Sequence, residues 1–486
     1  MSAGAREPAR RGARRIGFVL GPVLFALVLA TPAPAQLSSE AWRVAAVALL
    51  MATWWVTEAI PIPATALLPL VLFPLLDVVP VAAAAAPFAN PVIYLFMGGF
   101  LIAAALQRCG LHRRIALGIV RAGGGGAARL VGSFMAATAF ISMWVSNTAT
   151  VAMLLPMALS VLELAEDGAG PEAPAVHLAP ALLLGLAYGA NIGGLGTLIG
   201  TPPNALLAGF MSETYDVTIG FLEWMLVGVP LVVVSLPIAW LLLTRVLHPV
   251  GELRIAGGRE ALVAQARALG RLSRAEWTVG IVTALTAAAW LTQPLIARIA
   301  PGVSDAGIAI AGALLLFLLP VERSGARALD WEAAERLPWG VLVLFGGGLS
   351  LANGIQETGL ASWIGTAMAG IGTWPAILVV IGVTTVIVFL TELTSNTATA
   401  AAFLPVVSSL AVAIGASPLL LAVPTALGAS CAFMMPVATP PNAIVFGSGR
   451  LTIPQMMRAG IWLNLVFIVL ITAVAVWLAP RVLGGP

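Results

Sequence analysis

The sequence predicts an all-α polytopic membrane protein of about eleven transmembrane helices and two re-entrant hairpins, arranged as two inverted repeats. Three observations predict it. Of 486 residues, 60% are hydrophobic and 9% charged, a balance that no water-soluble surface could carry. Apolar runs long enough to cross a hydrocarbon core of roughly 30 Å recur from residue 16 to residue 480, without the alternation of barrel strands. The pentapeptide SNTAT occurs twice, at 146–150 and 395–399, each time inside an apolar stretch.

The first run, IGFVLGPVLFALVLA, follows Arg10, Arg11, Arg14 and Arg15 and precedes Ala-Pro-Ala at 33–35, so it imitates a secretory signal peptide. A retained first helix over 16–35 is the better reading. The next apolar segment follows almost at once, and a basic start equally marks a cytoplasmic N-terminus. Further spans are expected at 41–59, 62–79, 91–107, 178–208, 219–247, 277–296, 304–321, 338–356, 417–448 and 456–480. Segments 127–165 and 373–413 are expected as hairpins that return to the side they entered from. All 24 basic residues are Arg, and in this arrangement only Arg43, Arg298 and Arg481 fall outside the cytoplasmic side. A full crossing by either hairpin would scramble that bias. The net charge of +3 therefore reports orientation in a plasma (inner) membrane, and no nucleic-acid partner is called for.

The halves share one plan. FMGG at 96–99 matches FGGG at 345–348, Cys109-Gly110-Leu111 matches Thr358-Gly359-Leu360, and SNTAT matches SNTAT, all in one register. TPPNA at 201–205 recurs at 439–443, after a shorter connection that lacks the equivalent of the Gly-, Pro- and acid-containing loop 163–177. Each half enters the membrane from the opposite side, the pattern of a secondary transporter whose site lies near the midplane. The expected division is 1–126 and 250–372 as the first parts of the two repeats, with 127–249 and 373–486 as the hairpin-bearing parts.

Each hairpin limb, read from sequence, is under twenty residues, about 25 Å at roughly 1.5 Å per residue, so SNTAT would be a polar tip partway into the membrane. Such a tip must be packed in protein or face water. Ser146, Asn147 and Thr148 bring hydroxyls and a carboxamide, with Ser142 one turn earlier; Ser395, Asn396 and Thr397 are preceded likewise by Thr391. Neutral oxygens and the carboxy-terminal end of a half-helix suit a desolvated Na⁺, giving one cation site per repeat. In TPPN the first proline has no N–H to lose, and the residue before it is pushed out of helical geometry, so the motif breaks one helix and starts another. Four helix N-termini would then face the centre and favour a small anionic substrate.

Other chemistry has little support. Lys is absent, and His112, His177 and His248 fall near cytoplasmic span ends, so no metal site or hydrolytic constellation is visible and the chain is not read as an enzyme. Cys109 and Cys431 read as small buried hydrophobes. A channel fits closed-off tips less well than alternating access does. Glu58 and Glu392 are compatible with packing and hydrogen bonding or with proton work.

WWVTEAIPIPATALLPLVLFPLL at 54–76, both SNTAT tips, both TPPN breaks and LPWGVLVLFGGG at 337–348 resemble the divalent anion/sodium symporter family over nearly the whole chain. The resemblance implies a homodimer of elevator type, in which a transport domain moves against a scaffold, coupling Na⁺ to di- or tricarboxylate or, in some branches, sulfate uptake; other members exchange dicarboxylates. Carried onto this chain, it implies a first Na⁺ site at Ser142, Ser146, Asn147 and the backbone of Gly200. The second would use Thr391, Thr394, Asn396 and the backbone of Ala438. Substrate would meet Ser146, Asn147, Thr148, Ser395, Asn396 and Thr397, closed in by Thr201, Pro202, Thr439 and Pro440. The two breaks differ: NIGGLGTLIGTPPN is glycine-rich, whereas CAFMMPVATPPN is bulkier and carries an extra proline, Pro436.

Overall fold

The computed structural model describes residues 7–123, 126–168, 174–251, 258–322, 325–367 and 374–484. Apart from isolated bridge residues, the pair Pro320 and Arg327 among them, the regular structure of these residues is helical. The first repeat runs α1 (Glu7–Ala30), α2 (Ser39–Thr57), α3 (Ile62–Thr65), α4 (Leu68–Leu75), α5 (Val81–Ala85), α6 (Pro91–Cys109), α7 (Leu111–Ala122), α8 (Ala127–Ser142), α9 (Asn147–Gly168), α10 (Pro174–Gly194), α11 (Pro202–Tyr215) and α12 (Phe221–Leu241). The second continues with α13 (Gly258–Ala268), α14 (Arg274–Ile299), α15 (Asp305–Leu318), α16 (Trp331–Glu335), α17 (Trp339–Glu357), α18 (Leu360–Ala367), α19 (Ala376–Thr391), α20 (Asn396–Ala413), α21 (Leu419–Ala429), α22 (Pro440–Gly447), α23 (Ile453–Ala473) and α24 (Ala479–Val482).

Among the described residues, 8 helices are long and apolar enough to cross a membrane, and shorter apolar helices include α8, α15, α19 and α21. Helix starts are set by local chemistry. Asn90 accepts from Val92 N–H ahead of Pro91, Ser273 and Glu276 form a reciprocal capping box, and Thr452 and Gln455 form another.

Three expectations need correction. The run 62–79 is not one helix but α3 and α4, because Pro69, in the first turn of α4, has no N–H to donate back to Thr65, the last residue of α3. The first hairpin does not end at 165: α9 takes in Asn147 to Thr150 of the tip and continues to Gly168. It consumes most of the expected loop 163–177, since α9 continues to Gly168 and α10 begins at Pro174; the remainder, 169–173, lies outside the described residues.

The hairpin-bearing segments pack together: α8 on α10, α10 on α12 and α22, α20 and α19 on α21, and α19 on α23. The α8–α10 contact is close enough to require glycine. A Cβ at Gly193 would stand 2.1 Å from the Ala139 carbonyl oxygen, and one at Gly189 2.3 Å from the Thr138 hydroxyl. A second group forms around α6, which packs on α14 and α15, while α17 lies against α2, α11 and α20.

Candidate functional site

Tip 1 is the turn between α8 and α9. The last residue of α8 is Ser142, fully buried, and Asn147 opens α9. Break 1 is the unwound stretch 195–201 between α10 and α11. Thr201 is extended (φ −146°, ψ 142°), as a residue before proline must be, and α11 starts at Pro202 as the sequence predicts. Thr197 Oγ1 donates to the Met143 carbonyl at 2.5 Å, tying break to tip.

Break 2, between α21 and α22, repeats this with Thr439 extended (φ −137°, ψ 150°) ahead of Pro440. In both copies the asparagine of TPPN staples the unwound loop. Asn204 Nδ2 donates to Gly194 O at 3.1 Å and Thr197 O at 2.8 Å; Asn442 Nδ2 donates to Ala432 O at 3.1 Å and Met435 O at 3.0 Å. Each amide thus adds two hydrogen bonds to carbonyls of a buried break, where water cannot supply them. Sequence reasoning missed both asparagines as structural residues, although their occurrence in both TPPN copies was the available signal.

The breaks also touch each other. Thr201 and Ser430 hydroxyls lie 3.3 Å apart, and Asn191 Nδ2 donates to Thr439 Oγ1 at 3.3 Å. Thr201 and Thr439, expected against substrate, are thus buried and joined across the repeats, whereas Pro202 is half-buried and Pro440 exposed.

The two tips are not equivalent. At tip 1, Ser142 Oγ and Asn147 Oδ1 are buried without a hydrogen-bond partner. A Cβ at Gly194 would lie 3.0 Å from both Asn147 amide atoms and 3.2 Å from Gly200 O, so Asn147, Gly194 and Gly200 converge on one small space. Orphaned neutral oxygens there fit the donor set of a desolvated monovalent cation. At tip 2, Thr391 Oγ1 lies 2.8 Å from both Asn396 Oδ1 and Ala429 O, so the matching groups bond to one another. The Thr394 hydroxyl is 2.6 Å from that of Thr399 and 3.0 Å from Leu390 O, both within the hairpin. Ala438 N–H donates to Met435 O inside the break.

Glu392 follows Thr391 and is 3% exposed. Its Oε1 accepts from Phe433 N–H (2.7 Å), Met434 N–H (2.9 Å) and Asn464 Nδ2 (2.8 Å), and its Oε2 from Met435 N–H (3.0 Å). Tyr188 OH donates to Phe433 O at 2.8 Å from the opposite side. Glu58 instead caps α2 in the left-handed region (φ 48°) and pairs with Arg14 at 3.0 Å.

A cavity of about 730 Å³ opens between α6 and tip 1. Ser146, Thr148 and Ala152 line it from the tip-1 hairpin, Phe100 and Gln107 from α6, and Arg108, Asp330 and Arg336 also line it. Arg108 and Asp330 form an ion pair at 2.5 Å. The Ala333 N–H and the Arg108 guanidinium hold the Asp330 carboxyl below the usual carboxylate range. Among the described residues lining this cavity none comes from tip 2, whose helix α20 packs on α17 instead. Of the predicted substrate contacts, the structure brings Ser146 and Thr148 to the cavity; Asn147 lies behind them, and Ser395, Asn396 and Thr397 stand apart.

Away from the tips, His177 and His248 have ring centroids 6.2 Å apart, and His112 Nδ1 lies 2.9 Å from Leu106 O. No group of three or more potential metal-ligating side chains occurs among the described residues. Cys431 is buried and Cys109 half-buried, both free thiols.

Residues 14–483 match the family described as the sodium:sulfate symporter transmembrane region. Two sodium-dependent dicarboxylate transporters named SdcS are similar along almost the whole chain. That of Staphylococcus saprophyticus is 43% identical over 478 residues, 96% of this chain and 92% of the relative; that of Staphylococcus aureus is 43% identical over 477 residues, with the same coverage. Two solved structures share the fold. The Alcanivorax borkumensis YdaH transporter superposes with a TM-score of 0.56 at 18% identity, covering 98% of this chain and 99% of the other. Neisseria gonorrhoeae MtrF gives 0.59 at 12% identity, covering 95% and 94%.

Proposed function

Because this chain belongs to the sodium:sulfate symporter family, we propose that it is a secondary active transporter coupling Na⁺ entry to uptake of a di- or tricarboxylate of the succinate, malate or fumarate type. The observation that carries the reading is the cradle of unpartnered buried oxygens at tip 1, beside a cavity that Ser146 and Thr148 line. The whole-length likeness to SdcS supports the dicarboxylate, and the family's description keeps sulfate as the second anion to try.

Na⁺ and the anion are both cargo. Ser142, Ser146, Asn147 and the backbone of Gly200 would hold the first cation, and Thr391, Thr394, Asn396 and the backbone of Ala438 the second. Bound cations would supply the positive charge that these Arg-free tips lack, so the dianion binds well only when Na⁺ is present. Ser146 and Thr148 at the cavity wall, with Asn147, would meet one carboxylate; Ser395, Asn396 and Thr397 would meet the other, with Thr201, Pro202, Thr439 and Pro440 behind them.

The eleven-helix count, the homodimer and the elevator motion belong to the same proposal. In it 127–249 and 373–486 move against a scaffold of 1–126 and 250–372; the junction at 372/373 and both chain ends lie outside the described residues. The N-terminus is cytoplasmic, and the exposed Arg108 and Arg336, which line the cavity, belong to the same side by the positive-inside rule, which supports an inward-open state. The test is radiolabelled succinate uptake into liposomes, with an inward Na⁺ gradient against K⁺ and with or without internal succinate. Uptake that needs Na⁺ and no preload is expected. Uptake that needs only preload would make the protein a Na⁺-independent exchanger, and no succinate movement would transfer the test to sulfate.

A further inference from the structure

The two breaks satisfy their backbone differently. In break 1 the N–H groups of Leu195 and Gly196, which match 433 and 434 in register, find carbonyls three residues back: Ile192 O at 3.1 Å and Gly193 O at 2.9 Å. In break 2 three consecutive N–H groups, at 433, 434 and 435, all donate to the carboxylate of Glu392. The residue matching Glu392 in the first repeat's register is Met143, which offers only its carbonyl, to Thr197. A carboxylate at membrane depth is costly unless several donors surround it, and here four N–H groups do.

Position matters as much as charge. Thr391 fastens to Ala429 O, the last residue of α21, and to Asn396 at the start of α20. Its neighbour Glu392 fastens to 433–435, and Met435 O in turn receives Ala438 N–H and Asn442 Nδ2. Adjacent side chains of α19 and its cap thus hold both the near side and the middle of break 2 against tip 2. Asn464 of α23 braces the carboxylate from behind.

We propose that Glu392 is a positioning residue for the second cation site: its carboxylate sets the break-2 backbone, Ala438 included, against Thr391 and Asn396. The proposal rests on the Na⁺-coupled reading. It also gives the bulkier second break a reason, since its N–H groups at 433–435 turn to an acceptor supplied by the hairpin.

The test is a Na⁺ titration of thermal stability of the purified full-length chain, paired with Na⁺ activation of succinate uptake in proteoliposomes. In Glu392→Gln the side-chain oxygen can keep two of the N–H groups, but its NH₂ meets the Met435 N–H donor to donor. The Na⁺ midpoint should rise at least about tenfold in both assays, while KM for succinate at saturating Na⁺ stays within about threefold. General destabilisation would instead lower Tm equally with and without Na⁺ and leave the midpoint unmoved, which would overturn the proposal. If Glu392→Gln does not fold, Asn464→Ala decides: a rise of about two- to fivefold is expected, and an unchanged midpoint refutes. A parent protein whose stability ignores Na⁺ would overturn the cation reading itself, whereas a responsive parent with unshifted variants would overturn only the role of Glu392.

Discussion

Gly194→Ala should disable the first cation site while leaving the fold intact. The added methyl would stand 3.0 Å from both Asn147 Nδ2 and Oδ1 and 3.2 Å from Gly200 O, each a few tenths of an ångström inside ordinary contact. Asn147 sits where α9 begins and Gly200 is held between Gly194 and Thr201, so neither can retreat without opening the cradle. Overpacking of this kind costs about 1–3 kcal/mol. If that cost falls on the closed, cation-bound arrangement, Na⁺ affinity drops roughly 5- to 140-fold at 1.4 kcal/mol per factor of ten. The second repeat supplies an internal control. Its matching residue is Ala432, so a methyl is compatible with a TPPN break when the tip asparagine is drawn away, as Asn396 is by Thr391. The assay is the Na⁺ dependence of thermal stabilisation, with Na⁺-activated succinate uptake alongside. A midpoint within twofold of the parent in a folded Gly194→Ala protein would refute the location of the site.

Ser142→Ala removes a buried hydroxyl that has no partner, a group costing about 1–3 kcal/mol when unmet, so without Na⁺ the variant should melt no lower than the parent. Its Na⁺-induced rise in Tm should nevertheless shrink, and a full rise would remove Ser142 from the site. Asn204→Ala removes two buried hydrogen bonds and should cost about 1–3 kcal/mol of stability, read as a lower Tm, with Asn442→Ala alike; wild-type melting in either would deny the stapling role. Burial, with repulsion from His177 and Arg458, pushes His248 down to about 4 from 6.5. The unfolded chain therefore takes up this proton first as pH falls, so the stability contribution is complete above 6.5 and declines from there to about 4. His248→Asn should flatten the fall in Tm across that window, and equal slopes would contradict the assignment.

Much of this protein was legible in the chain because the deciding interactions are local. Long apolar runs must be helices where water cannot satisfy the backbone, and Pro202 and Pro440 start the helix after each break through sterics confined to adjacent residues. The repeat is likewise a property of the letters alone, and it located both tips and both breaks to within a few residues. Proline spacing could also have warned that 62–79 would divide into α3 and α4.

Tertiary structure decided what those local pieces meet. Glu392 reaches Phe433 and Asn464, Asn191 reaches Thr439, and Tyr188 reaches Phe433, partners so far apart in sequence that no pattern of spacing links them. It also made two identical SNTAT tips unequal, one beside an open cavity with unpartnered oxygens and one with its groups bonded together. Identical sequence specifies identical local chemistry, but whether an oxygen is left free for a ligand depends on the surface packed against it. That surface is assembled from distant segments, and only folding brings them there.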